Sequence, residues 1–140
     1  MTSQLNVDTI VDKAGSGGSN VKMANTSTYV SDGGNVSQNT VQGLAKAYLT
    51  YDQTVPEIDG SFNVSSVTDN SVGNWNVNYA SNMNNTTYSW FTGGQDNRFA
   101  GVNTGDVPTT STIRYYTRIT NTTTLADVNL NTAGIHGGLA

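Results

Sequence analysis

Three carboxylates, those of Asp52, Glu57 and Asp59, flank Pro56 in the first half of the chain. Closely spaced carboxylates can exchange protons in acid–base catalysis or bind Ca²⁺. Their spacing matches no EF-hand, and Pro56 together with Gly60 is typical of an ordinary loop. The sequence therefore predicts a solvated loop here, with a cation site shared between chains as the alternative.

His136 is the only histidine, and the chain contains no cysteine. One chain can therefore form neither a multi-histidine nor a thiolate metal site. The neighbouring Gly134, Gly137 and Gly138 favour a plain polar residue near the end of the chain; the alternative is an ion held by three copies of His136 on a threefold axis. The strand-rich half offers no carboxylate pair at the spacing that a glycan depolymerase needs. We expect no enzymatic activity, no metal and no cofactor.

Aromatic side chains are the other candidate for a binding surface. They could stack against carbohydrate, but Trp75 and Tyr79 alternate with asparagines, which favours core or inter-subunit packing. The candidate receptor or glycan contacts are Trp90, Tyr88 and Arg98. Three arginines could also bind an acidic glycan, although an ion pair with Asp106 or Asp127 on a neighbouring strand is the simpler interpretation. The aromatics considered are Tyr48, Tyr51, Trp75, Tyr79, Tyr88, Trp90 and Phe91, and the arginines are Arg98, Arg114 and Arg118.

Composition excludes several classes of partner. Only 11% of residues are charged, the net charge is −4, and the six basic residues are scattered. Phosphate backbones need clustered Lys and Arg, so we expect no nucleic-acid binding. No apolar run is long enough to span a membrane, and the first residues lack the pattern of a secretory signal. We expect synthesis in a cytoplasm, without membrane insertion or export by that route.

Hydrophobic alternation predicts an all-β protein with an antiparallel β-sandwich, resembling a jelly roll. Residues 61–80 are typical of a β-hairpin, with a bulge between Val64 and Val67 and turn residues at 69–73. In the late strand, Ile113, Tyr115, Thr117 and Ile119 share one face. The predicted strands span residues 45–52, 61–68, 74–80, 87–92, 111–120 and 124–131, with a possible last strand at 133–136.

Residues 1–46 form a separate region in this interpretation. They include a short apolar run at 5–11, glycine-rich breaks and a possible short helix at 37–46 that Ser37 would cap. The region has too little apolar surface to form its own core. We expect an extended arm that attaches to a partner or winds with two other copies, followed by a sandwich knob at 47–140.

The chain resembles a C-terminal module of tail-fibre and virion structural proteins from marine bacteriophages, especially those that infect cyanobacteria. The resemblance is carried by Ala45–Leu49, the hairpin SFNVSSVTDNSVGNWNVNY at 61–79, the step from Ser81 through Met83 to Tyr88, and the stretch from TSTIRYYT to LADVNLN at 110–131. The opening residues 3–10 are also similar. In place of an apolar last strand, this chain ends in a glycine-rich segment. Its last strand either stays in its own module or reaches a neighbour.

The resemblance implies a non-enzymatic virion protein, commonly a trimer. We expect a tail or head fibre appendage located on the virion, with a role in host attachment. The arm at 1–46 would contact capsid, portal or tail proteins, and the knob would contact a host surface glycan. The alternatives are a capsid decoration (cement) protein, which the short chain favours, and a carbohydrate-binding module.

Overall fold

The computed structural model describes residues 28–30, 37–39, 43–102 and 105–138. The chain divides into two units, Met1–Val41 and Gln42–Ala140. In the first unit, strands β1 (Thr28–Val30) and β2 (Ser37–Asn39) pair antiparallel. Most of the predicted arm, including the apolar run at 5–11, lies outside the described residues. Among the described residues, no helix is long and apolar enough to cross a membrane.

The second unit is a β-sandwich of two antiparallel four-stranded sheets, as the alternation predicts. The first sheet has the order β4-β3-β10-β7 and the second has the order β5-β6-β9-β8. The strands are β3 (Ala45–Asp52), β4 (Glu57–Phe62), β5 (Val64–Ser71), β6 (Asn74–Tyr79), β7 (Ser89–Gly94), β8 (Arg98–Gly101), β9 (Thr112–Ile119) and β10 (Asn131–His136).

The core lies between the sheets and is built by alternate residues of their central strands. Every second side chain of a strand faces the same side, so an alternating sequence buries one face. Trp75 lies at the centre, with its ring centroid 5.4 Å from that of Tyr51 and 4.9 Å from that of Tyr115. The other core residues are Ala47, Leu49, Val77, Tyr79, Met83, Tyr88, Ile113, Ala133 and Ile135. The sandwich therefore has a hydrophobic core made from one copy of the chain.

The predicted hairpin is confirmed as β5–β6, with the register shift between Val64 and Ser66 where the bulge is expected. The strand predicted at 61–68 is divided at Asn63, which has a φ of 54°. Asparagine tolerates this left-handed conformation. The Asn63 side chain holds the corner, because its Nδ2 donates to the carbonyls of Lys46 and Ser81, and its Oδ1 accepts from the Ser81 amide at 2.6 Å. The chain passes from the first sheet to the second at this residue.

The prediction lacks one edge strand, β8, and most of another, β4, of which it includes only Ser61 and Phe62. Glu57 and Asp59, expected in a loop, lie in β4, where Glu57 pairs with Asp52. Charged residues are common on edge strands because they discourage pairing with other chains, and the same charges conceal the strand from a hydrophobic pattern. Strand β8 has only four residues, too few for a visible alternation.

Two predicted elements are wrong. The helix at 37–46 is not formed, because Ser37 lies in β2 and Ala45 begins β3. Gly43 weakens the helical pattern, while β3 gains backbone pairing on both sides from β4 and β10. The strand at 124–131 is also absent before Asn131; only Leu125 forms an isolated bridge, with Arg118. The possible last strand is confirmed as β10, and it pairs with β3 and β7 of its own sheet.

Candidate functional site

The three predicted contact residues do not share one exposed surface. Tyr88 is buried in the core, where its hydroxyl accepts a hydrogen bond from Tyr79 at 3.2 Å and donates to the Thr109 carbonyl at 2.9 Å. Burial raises the pKa of both tyrosines. Trp90 is 39% exposed at the rim of the core, with its ring edge-to-face against a core tyrosine at 6.1 Å. Tyr88 is therefore a packing residue, and Trp90 offers only part of its ring to a ligand.

Arg98 lines a cleft of about 320 Å³ together with Asp96 and Asp127. Asp127 also supports the fold, because its carboxylate accepts a hydrogen bond of 2.6 Å from the Gly73 amide. Two carboxylates beside one guanidinium leave a negative local charge. This balance disfavours the acidic glycan considered for Arg98.

A row of aromatic side chains crosses the outer face of the first sheet. Phe62 of β4 pairs with Tyr48 of β3, Tyr48 pairs with Gly134 of β10, and Gly134 pairs with Phe91 of β7. Residues directly opposite on antiparallel strands share a face. Ala47 and Leu49, on either side of Tyr48, are core residues, so the row faces away from the core. We call Phe62, Tyr48 and Phe91 the aromatic row.

The three rings are accessible and held in position. Phe62 and Tyr48 are each 51% exposed and Phe91 is 57% exposed. The Phe62 and Tyr48 rings stack with centroids 6.0 Å apart and planes inclined by 23°. The tip of Phe91 lies over Gly134, where an added Cβ would be 2.0 Å from the ring. Gly134 thus provides the space in which Phe91 packs against the sheet and presents its remaining surface to solvent.

A polar cleft adjoins the aromatic row at His136. The imidazole ring is 5.7 Å from the ring of Phe91 and also lines a cleft of about 330 Å³. We call this the amide cleft. Its lining residues are Asn84, Asn85, Thr87, Ser89, His136, Gly137 and Gly138.

The walls of the amide cleft are built by local hydrogen bonds. The Asn85 carbonyl oxygen Oδ1 accepts from both the amide and the hydroxyl of Thr87, each at 2.9 Å. The Asn84 amide donates to the Gly138 carbonyl at 2.9 Å, which joins the two sides. The Asn84 side chain lies so close to Gly138 that a Cβ there would be 2.3 Å from its Nδ2. The cleft thus presents amide and hydroxyl groups in a defined arrangement.

The outer face of the second sheet has a different character. The side-chain Nδ2 of Asn78 donates hydrogen bonds to the hydroxyls of Ser66 and Thr68, at 3.0 and 3.1 Å. Arg114 pairs with Asp106 at 3.3 Å, one of the pairings expected from the sequence. Because these polar groups are already paired with one another, this face has less to offer a ligand than the aromatic row.

Asp52, one of the acidic residues near Pro56, stabilises the turn that follows it. One carboxylate oxygen of Asp52 accepts from the amide and hydroxyl of Thr54 and from the amide of Val55. The hydrogen bond from the Thr54 hydroxyl is the main cause that lowers the pKa of Asp52. Within the described ranges, no group of three or more His, Asp or Glu residues could hold a metal ion.

Part of the aromatic row was visible in the sequence. Ala47, Leu49 and Tyr51 occupy every second position of their strand, and Tyr48 lies between the first two of them. The strand period of two residues therefore predicts that Tyr48 faces the opposite side. Phe91 follows Trp90 directly, so one of the two must face outward. The sequence carries no signal that Phe62 and Phe91 lie in one line, because the intervening strands are distant in the chain.

No family model matches the sequence, and searches of curated proteins and of solved structures likewise find no match.

Proposed function

We propose that this protein is a non-enzymatic structural protein of a bacteriophage virion, a trimeric tail or head fibre appendage with a role in host attachment. The observation that carries the proposal is the aromatic row on a self-contained sandwich. Three half-exposed rings aligned across one sheet are typical of a surface that binds, because exposed apolar patches mark interaction sites. The similarity of the hairpin and of the late strand to marine phage proteins supports the same role.

In this proposal residues 1–46 and the sandwich have different roles. Residues 1–46 attach the protein to capsid, portal or tail proteins and bring three copies together. The sandwich forms a knob that presents the aromatic row. Trimerisation would make three weak knob contacts act together, which can strengthen overall binding by about 10²–10⁴-fold without any new contact.

The oligomeric state of the full chain tests the trimer. Size-exclusion chromatography with light scattering should give a single species of three chains, stable on dilution. A monomer would contradict the assembly on which the avidity argument depends.

Mass spectrometry of purified virions tests the location. The protein should be present at the low copy number of a fibre. A copy number comparable to that of the capsid protein would instead support the decoration protein that the short chain favours. Absence from virions would refute both.

A further inference from the structure

We propose that the aromatic row and the amide cleft form one binding site for a neutral oligosaccharide. This inference rests on the proposed role in attachment, since it names the ligand class for that surface. It also moves the expected glycan contacts from Trp90, Tyr88 and Arg98 to a different part of the sandwich.

The aromatic row suits the apolar faces of sugar rings. A pyranose has one face made largely of C–H groups, which packs on an aromatic ring while its hydroxyls remain in water. Neighbouring strands are about 4.8 Å apart, close to the length of one sugar unit. Phe62 and Phe91 lie three strand spacings apart, or about 14 Å. The row can therefore support about three consecutive sugar units.

The amide cleft supplies the hydrogen bonds that stacking lacks. Sugar hydroxyls both donate and accept, and amides and hydroxyls do the same. Because Asn85 Oδ1 is occupied by Thr87, Asn85 can present its Nδ2 as a donor. Among the described residues, none accepts a hydrogen bond from Asn85 Nδ2. Ligand sites commonly combine aromatic walls with a few well-placed polar groups, and His136 joins the two parts here.

The distribution of charged residues around the site favours a neutral ligand. No Asp, Glu, Lys or Arg lines the amide cleft. The charged residue of β3 nearest to Tyr48 in sequence, Lys46, is buried, with 6% of its surface exposed. His136 is the one titratable side chain in the cleft lining. The chain as a whole carries a net charge of −4, which repels an acidic polymer. An uncharged polyhydroxylated ligand fits this surface, whereas sialylated, sulfated or uronate-containing glycans do not.

The test is binding of the full chain to an array that carries neutral hexose oligosaccharides beside sialylated, sulfated and uronate-containing ones. We expect binding to neutral glycans alone. Titration calorimetry with the best neutral glycan then compares variants. Phe91→Ala and Asn85→Ala should each weaken binding about tenfold. The first removes an aromatic contact, and the second removes the Nδ2 donor together with the Oδ1 acceptor that holds Thr87.

Phe99→Ala is the matched control. Phe99 is 66% exposed on β8 of the other sheet, so the substitution removes the same ring from a similarly exposed position. It should change the affinity by less than about twofold. Circular dichroism and thermal melting of each variant verify that the sandwich is intact.

Gly134→Ala perturbs the row without removing a ring. The new Cβ would displace Phe91 from its position over β10, so neutral-glycan binding should weaken by a similar factor. Unchanged binding in Gly134→Ala and Phe91→Ala, or an equal loss in Phe99→Ala, would overturn the site.

Other outcomes would also overturn the inference. These are the absence of binding to every neutral glycan, a preference for acidic glycans, or unchanged affinity in Asn85→Ala. Conversion of the oligomer to smaller species by Phe91→Ala would show that the row packs against another copy. If the protein is found in virions but binds no neutral glycan, only this inference fails. If it binds neutral glycans but is absent from virions, the proposed function fails.

Discussion

A buried chain of hydrogen bonds connects the two sheets and should be costly to break. Trp75 Nε1 donates to the Thr117 hydroxyl at 3.2 Å, and that hydroxyl donates to Asn131 Oδ1 at 3.1 Å. All three residues are fully buried. Thr117 belongs to β9 of the second sheet and Asn131 to β10 of the first. Thr117→Val keeps the shape of the side chain and replaces the hydroxyl with a methyl group.

The cost follows from the two groups that lose their partner. The indole N–H of Trp75 loses its acceptor and Asn131 Oδ1 loses its donor, and each unsatisfied buried group costs about 1–3 kcal/mol. Burial of the new methyl group returns about 1 kcal/mol. The free energy of unfolding should therefore fall by about 1–5 kcal/mol, and the melting temperature by about 5–25 °C.

Urea unfolding followed by tryptophan fluorescence measures the loss directly. Thr132→Val is the control, because Thr132 is exposed on β10 and the same change there should shift the free energy by less than about 0.5 kcal/mol. If Thr117→Val were as stable as the wild type to within about 0.5 kcal/mol, the hydrogen-bond chain would not contribute as argued.

Two further perturbations test the turn and the tyrosine core. Gly73 has a φ of 62°, and an added Cβ would lie 2.5 Å from the Thr117 carbonyl oxygen. Gly73→Ala should lose at least about 2 kcal/mol in urea unfolding, whereas Gly60→Ala, with open space around it, should lose less than about 1 kcal/mol; equal losses would contradict the argument. Burial raises the pKa of four core tyrosines, to about 12 for Tyr51 and also upward for Tyr79, Tyr88 and Tyr115. Because the folded state keeps these protons, the stability that the tyrosines contribute should be fully present below pH 10 and should be lost above it, by up to about 5 kcal/mol per pH unit. Urea unfolding between pH 8 and pH 11.5 measures this fall, and an unchanged stability at pH 11.5 would refute it.

The strands with strong alternation were predictable because their pattern is local. In β6 and β9, every second side chain is buried between the sheets. The positions of Trp75 and Tyr115 in this alternation therefore show which face of each strand packs against the core. The same principle located β3, the β5–β6 hairpin and its bulge. Each of these depends on neighbours within a few residues or on a short turn.

The edge strands and the aromatic row depend on contacts that are distant in the chain. Strand β4 became visible only through its pairing with β3, since Ile58 and Phe62 are its only large apolar residues and do not form a strict alternation with each other and their neighbours. The row exists because β10, near the end of the chain, inserts between β3 and β7 and brings Gly134 between Tyr48 and Phe91.

The sequence by itself determined the all-β class, the central strands and the buried face of those strands that alternate clearly. A strand period of two residues is a property of the chain alone, and it shows which side chains avoid water. Only the tertiary structure decided which strands are neighbours. That choice placed Tyr88 in the core and left Phe62, Tyr48 and Phe91 aligned on the surface. The physical reason is that strand order results from the pairing and packing of all the strands together, which no local pattern encodes.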